Sequence, residues 1–512
     1  MLFQHFFYRK TWLVWLILFS IALSACLPRD TVPPGVIQDT PAGPAAPTFT
    51  LTSPVEITET VVSPEATLPP SAPTVTATPA PTRIPIVGVE MHSISPQGGL
   101  DKVREAGVYW VRRNALIWAD VEPQEGIRNW EAAAGLEQEL QLAAEQGFEV
   151  ILIVHKTPAW ARQLPALSCG PVREDKLETY ASFIKDAVAR YSVPPFNVKF
   201  WELGNEPDIG REFAGPDMVF GCWGESGDAY YGGEYYSELL KASYPQMKAA
   251  DPQAQVMVGG LLLDCDPINP PEEPAGSGKL KNCTPALFLE GVLKNGGGDY
   301  FDGVSFHAYD YYAGELGKYQ NPNWHSSWDS TGPGLIEKTR YLRELLASYG
   351  HPEKFLINTE GALICGRDGT EAPCQTDEFA LTKAYYIPQL YASTLASGLD
   401  ATVWYSLFGW RGSQLLNAID APLPGYEAFK FAGTQFQNAT SAVQVNQFPG
   451  VKGYEVTRGE QRLWILWSGD GDTHTVRLPS TPAAVYNVFG GVLPAGQEVE
   501  INLAPVYIEL AP

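Results

Sequence analysis

The sequence predicts an α/β chain: a closed eight-stranded (β/α)8 barrel followed by a small antiparallel β-sandwich. Three observations predict it. Eight short β-rich runs alternate with longer amphipathic stretches from Ile86 to about residue 433. Most of those runs are apolar throughout, as strands buried on both faces are. From residue 437 onward the pattern changes to short strands separated by turns, with no helical stretch between them. No GxGxxG follows the first run, which argues against an open doubly wound sheet.

The runs, in order, are IVGVEM (86–91), VYWVRR (108–113), FEVILIV (148–154), VKFWEL (198–203), AQVMVGG (254–260), FDGVSF (301–306), KFLIN (354–358) and ATVWYS (401–406). Helical candidates fill the intervals at 97–106, 130–146, 175–191, 234–250, 284–295, 334–349 and 377–397, with the last at 424–433. Beyond 437, GYEVTR, RLWILWS, THTVRL, AAVYNVF, EVEINL and VYIEL read as sandwich strands, divided by turns such as Asp470-Gly471 and Gly490-Gly491.

The N-terminus reads as a targeting device. Arg9 and Lys10 precede an apolar run, Thr11 to Ala25, too short to span a membrane and suited to a signal peptide. It ends in Leu23-Ser24-Ala25-Cys26, which resembles the bacterial lipobox, and this implies acylation of Cys26 and cleavage just before it. Residues 27–85 hold 14 Pro and 12 Thr, a composition that favours an extended, disordered linker. The expected organisation is therefore signal peptide 1–25, linker 26–83, barrel 84–436 and sandwich 437–512. The expected location is outside the cytoplasm, tethered to the membrane by lipid only.

Composition restricts the partners. A hydrophobic fraction of 45% with 14 Trp, 24 Tyr and 22 Phe supplies a large core. The net charge of −23 would repel a phosphate backbone, so nucleic-acid binding is excluded as a main function. Apart from Cys26 there are six cysteines: Cys169, Cys222, Cys265, Cys283, Cys365 and Cys374. Fifteen pairings are open to six cysteines. The short loops favour Cys265–Cys283 and Cys365–Cys374, leaving Cys169 with Cys222. No CxxC is present, so disulfides formed after export are expected rather than zinc or redox chemistry.

In such a barrel the active site forms at the C-terminal ends of the strands. The fourth run leads into Gly204-Asn205-Glu206-Pro207 and the seventh into Thr359-Glu360-Gly361, so two carboxylates face each other across the mouth. Cleavage of a glycosidic bond with retention needs such a pair about 5–5.5 Å apart. Glu202 shares the parity of Glu206 on its strand and is expected in a structural ion pair. His92, His155 and His307 follow runs one, three and six, but no HxH or HExxH spacing supports a metal site, so neither metal nor cofactor is expected. The loops 207–233 and 309–333 carry Phe213, Trp223, Tyr230 and Tyr231, and Tyr311, Tyr312, Tyr319, Trp324 and Trp328. Such rings suit sugar stacking, with about half expected to pack the loops onto the barrel.

Asn205-Glu206-Pro207 and Thr359-Glu360 together resemble the clan of retaining β-glycosidases built on (β/α)8 TIM barrels, most similar in plan to glycoside hydrolase families 39 and 5. The likeness covers about 84–433. It implies that Glu206 is the acid/base, Glu360 the nucleophile, and Asn205 a ligand of the sugar 2-hydroxyl. It further implies that His307 and Tyr309, in Phe306-His307-Ala308-Tyr309, steady nucleophile and sugar, that Arg112 lies near the nucleophile, and that Trp404 stacks on sugar. His155 is expected to contact sugar hydroxyls. Gly204 departs from the bulky residue that many members carry there. Two other functions stay open on the same residues: a transglycosylase, and a non-catalytic glycan-binding lipoprotein. The sugar, its linkage and the oligomeric state are not read from the sequence.

Overall fold

The structure, a computed structural model, describes residues 86–328 and 334–511. The segment expected to be a signal peptide, Cys26 and the Pro/Thr-rich segment lie outside the described residues. Among those described, no helix is long and apolar enough to cross a membrane.

Eight parallel strands close the barrel: β1 (Val87–Glu90), β2 (Trp110–Ile117), β3 (Glu149–His155), β4 (Phe200–Asn205), β5 (Gln255–Leu261), β6 (Gly303–Tyr312), β7 (Phe355–Ile364) and β8 (Ala401–Trp404). Each pairs with its neighbour in sequence, and β8 returns to β1 through Val87 opposite Thr402. The helices between them are α1 (Leu100–Glu105), α2 (Ala134–Glu145), α3 (Leu177–Tyr191), α4 (Gly233–Ala250), α5 (Phe288–Lys294), α6 (Leu335–Ser348), α7 (Asp377–Ala396) and α8 (Pro424–Gln435). Their placement follows from apolar spacing. In α3 the buried residues Tyr180, Phe183, Ile184, Ala187, Val188 and Tyr191 recur every three or four positions, so one stripe faces the sheet.

The barrel interior is layered. Its floor is apolar, built from Trp110, Ile151, Met257, Ile357, Ala401 and Val403 with Phe200 and Phe355. One step along the strands the same inward positions turn polar: Arg112 follows Trp110, and Glu202 follows Phe200. Strand alternation alone places these groups on the axis just below the mouth.

The C-terminal domain forms a five-stranded antiparallel sheet from β9 (Ala439–Gln444), β10 (Val451–Arg458), β11 (Gln461–Ser468), β13 (Ala484–Tyr486) and β15 (Val506–Glu509). It is faced by a pair, β12 (His474–Arg477) and β14 (Glu498–Ile501). In β11, Trp464 and Leu466 point to the second sheet, whereas Leu463, Ile465 and Trp467 join the core shared with the barrel. Burial on both faces explains the uninterrupted apolar run Leu-Trp-Ile-Leu-Trp. The polar strand β9 has no such signature and is not predicted by the sequence pattern.

The cysteines pair as Cys169–Cys222, Cys265–Cys283 and Cys365–Cys374. The first ties the loop after β3 to the loop after β4. The others close the loops after β5 and β7.

Candidate active site

Two local distortions aim the carboxylates. In β7, Phe306 pairs with Asn358 but His307 pairs with Glu360, so Thr359 is an extra residue in the ladder. Strict alternation would put Glu360 on the outer face with Asn358. The bulge returns it to the barrel axis. At the end of β4, Gly204 lies at φ +89° and Glu206 at φ +45°. The first is a conformation that glycine adopts freely, which accounts for a glycine at this position. The turn brings both Asn205 and Glu206 into the cleft.

Arg112 organises the floor of this site. It is fully buried. Its Nε donates to Glu202 at 2.8 Å, and its Nη1 donates to Glu90 at 2.6 Å and to Glu360 Oε1 at 2.5 Å. Its Nη2 donates to Asn205 Oδ1 at 2.6 Å. Burial opposes its charge, but Glu202, Glu90 and Glu360 outweigh that and hold the guanidinium protonated. Because Arg112 takes Oδ1, the amide nitrogen of Asn205 is left to face a ligand. Glu202 also accepts from Ser305 at 2.8 Å and stays in the floor as an ion-paired carboxylate.

The two mouth carboxylates have different neighbours. Glu360 receives Arg112 on one oxygen and the Tyr309 hydroxyl on the other. Among the described residues the Glu206 carboxyl meets His307 Nδ1, at 2.8 Å, and the same nitrogen lies 3.4 Å from Glu360 Oε2. Burial pushes both carboxyls up, each to about 7; His307 and Arg112 partly offset this at Glu360, as Arg112 and Lys338 do at Glu206. The same burial lowers His307 to about 4, so its ring is neutral at physiological pH. Of the two, Glu360 has the richer set of donors to hold an anion. The amine of Lys338 donates to the carbonyls of His307 and Leu262, both at 2.8 Å, and ties the end of β5 to the middle of β6.

One ligand atom each from Glu206, His307 and Glu360 lie within 4.8 Å of one another. Among the described residues, these three are the group that could hold a divalent ion. With Arg112 and Tyr309 already on Glu360, the trio is equally served without one.

The cleft above has a volume of about 510 Å³. Glu206 and Glu360 line it, together with Asn205 and Tyr309, the two residues that the resemblance adds to them. Four other expected contacts do not. Arg112 and His307 are sealed beneath the carboxylates, with no exposed surface, and act by positioning. His155 opens into a separate small pocket of about 40 Å³ behind Asn205, with Trp118 and Tyr180. Trp404 is fully buried, donates to the Ser413 carbonyl at 2.9 Å and packs on Tyr386 of α7. Ala401 and Val403 point inward, so Trp404 must point outward and Tyr405 inward. Tyr405 is the cleft residue of this strand. Its ring meets Tyr309 at 6.2 Å and Trp410 at 6.4 Å, both edge to face.

Glu90, Asn114, Trp410 and Arg411 also line the walls, with Asp264 and several apolar side chains, and the sequence reading does not single them out. Glu90 and Asn114 carry a readable signal, since they are polar residues at inward positions of β1 and β2. Trp410 and Arg411 sit on the loop after β8, where no periodicity marks them. Of the loop aromatics, Tyr311 lines the cleft, whereas Trp223, Tyr231, Tyr319 and Trp324 are buried packing residues.

No protein-family model matches the chain, and no curated protein matches it in sequence. Solved structures do match in shape. A family 39 glycoside hydrolase from the gut symbiont Bacteroides cellulosilyticus WH2 superposes with a TM-score of 0.61 at 18% identity, covering 84% of this chain and 81% of that one. A glucosidase from Croceicoccus marinus gives 0.54 at 14% identity, covering 84% and 95%. A family 30 subfamily 8 xylanase from Clostridium acetobutylicum gives 0.53 at 14% identity, covering 84% and 96%. The chain therefore has the fold of these glycoside hydrolases, a (β/α)8 barrel with a β-sandwich.

Proposed function

We propose that the protein is a retaining glycoside hydrolase that cleaves β-linked O-glycosidic bonds of oligo- or polysaccharides. The observation that carries this reading is the pair Glu206 and Glu360 at the mouth of the barrel, with oxygens within 4.8 Å and unlike donor sets. That spacing suits a covalent intermediate and leaves too little room for the intervening water of an inverting enzyme.

Glu360, kept anionic by Arg112 and Tyr309, attacks the anomeric carbon. Glu206 gives its proton to the departing oxygen, so the glycosyl–oxygen bond breaks as the glycosyl–Glu360 ester forms. The carboxylate of Glu206 then takes a proton from water, which attacks the same carbon and releases Glu360. The amide nitrogen of Asn205 binds the sugar 2-hydroxyl, and Tyr309, Tyr405 and Trp410 offer ring faces and edges to its C–H groups.

The three disulfides support export, and the Leu-Ser-Ala-Cys26 motif supports a lipid anchor on that cysteine. The expected limits, signal peptide 1–25, linker 26–83, barrel 84–436 and sandwich 437–512, form part of this proposal.

The test is hydrolysis of a panel of aryl β-glycosides and β-linked polysaccharides in 18O-labelled water, with proton NMR of the first-formed sugar. A β-anomer carrying the label at its anomeric carbon is expected. An α-anomer released first, or no hydrolysis across the panel, overturns the reading.

A further inference from the structure

We infer that the cleft wall carries a subsite for an acidic sugar, one bearing a carboxylate or a sulfate ester, and that Arg411 is the residue that binds it. This rests on the glycosidase reading above and names a substrate class for the same cleft.

Arg411 lines the cleft beside Trp410 and Tyr311. Its guanidinium lies over both rings, 5.1 Å from the Trp410 centroid and 5.5 Å from that of Tyr311. Its backbone is in the left-handed region at φ +49°, and its carbonyl accepts from the amide of Cys365, a cysteine of the third disulfide. One Nη2–H donates to the carbonyl of Gly366. Nε–H is buried and meets no acceptor among the described residues.

Two features make this arrangement a binding site rather than a packing detail. The first is electrostatic. Asp and Glu outnumber Lys and Arg by 58 to 35, yet Arg411 has no carboxylate partner among the described residues. Asp264, which shares the cleft, is already paired with Lys281 at 2.9 Å. Of the residues that line the cleft, Arg411 is also the single cation. The second is preorganisation. Guanidinium planes fixed on aromatic faces lose little rotamer entropy on binding, and their forked donors match the paired oxygens of a carboxylate or sulfate.

The probes are methyl β-glycosides in matched pairs: glucuronoside with glucoside, galacturonoside with galactoside, and galactoside 6-sulfate with galactoside. Binding to the full chain and to Arg411→Gln is measured by ligand-observed NMR titration, alongside the thermal midpoint. At least one charged sugar should bind about tenfold more tightly than its neutral partner, and Arg411→Gln should abolish that preference without shifting the midpoint. Which pair responds tells carboxylate from sulfate. If no charged sugar exceeds its neutral partner, or the preference survives Arg411→Gln, the subsite is disproved while the glycosidase reading stands. If none of the sugars binds and no glycoside is hydrolysed, both fail together.

Discussion

Gly260 and His307 compete for one volume of space: a β-carbon on Gly260 would lie 2.2 Å from His307 Nε2 and 2.6 Å from Glu202 Oε1. The glycine is there for close approach, since its backbone is not in the left-handed region. His307 in turn fixes Glu206. We expect Gly260→Ala to cut kcat/KM by about 100-fold, because displacing a positioned group by about 1 Å has that effect. Thermal unfolding should show a loss of about 1–3 kcal/mol from overpacking. Wild-type kinetics in this variant would show that His307 does not position the acid.

The unlike environments of Glu206 and Glu360 call for opposite azide products. In Glu360→Ala, turnover should vanish on all substrates, and azide should restore it with a glycosyl azide of inverted configuration. In Glu206→Ala the first step should survive on activated aryl glycosides, and the azide product should be of retained configuration. Exchanged stereochemistry between the two variants would exchange the roles.

Burial raises both carboxyls, so the pH profile should be a narrow bell with its maximum near 7. The sign of each limb follows from the roles. As pH falls, Glu360 takes up a proton and the nucleophile is lost. As pH rises, Glu206 loses its proton and the leaving group is no longer assisted. In Glu206→Gln, assayed on an aryl glycoside that needs no protonation, the alkaline limb should disappear and the acid limb should stay. Persistence of the alkaline limb would assign it to another group.

On β8, Tyr405 and Trp404 should separate binding from stability. Tyr405→Ala removes a cleft wall and should raise KM about tenfold or more, with little change in the thermal midpoint. Trp404→Phe loses the bond to Ser413 and should cost about 1–2 kcal/mol of stability. KM should stay within about twofold. A Trp404 variant with a raised KM and an unchanged midpoint would restore the tryptophan to the binding surface.

Much of this site was legible in the sequence, and the misses have physical causes. The eight runs and eight amphipathic stretches follow from the two-residue and 3.6-residue periods, which survive without any tertiary information. Glu206 and Glu360 were found from their place at strand ends, although the bulge at Thr359 that turns Glu360 inward leaves no mark in the pattern. The resemblance points to Trp404, whereas parity with Ala401 and Val403 favours Tyr405. Arg411 and Trp410 could not be read, because a loop held by the Cys365 amide on the Arg411 carbonyl and by the Lys383 amine on the Gly412 and Gln414 carbonyls has no repeat to betray it. The same holds for β9, whose exposed polar face looks like a linker.

The three disulfides all lie at one end of the barrel, in the βα loops, while the opposite end has no covalent staple among the described residues. Reduction should therefore soften recognition and leave the architecture standing. With dithiothreitol, KM should rise while the far-ultraviolet circular dichroism keeps its shape. A chain with these six thiols reduced would carry a finished scaffold beneath a slack rim, so the oxidation state of the loops would set how tightly the mouth grips a ligand.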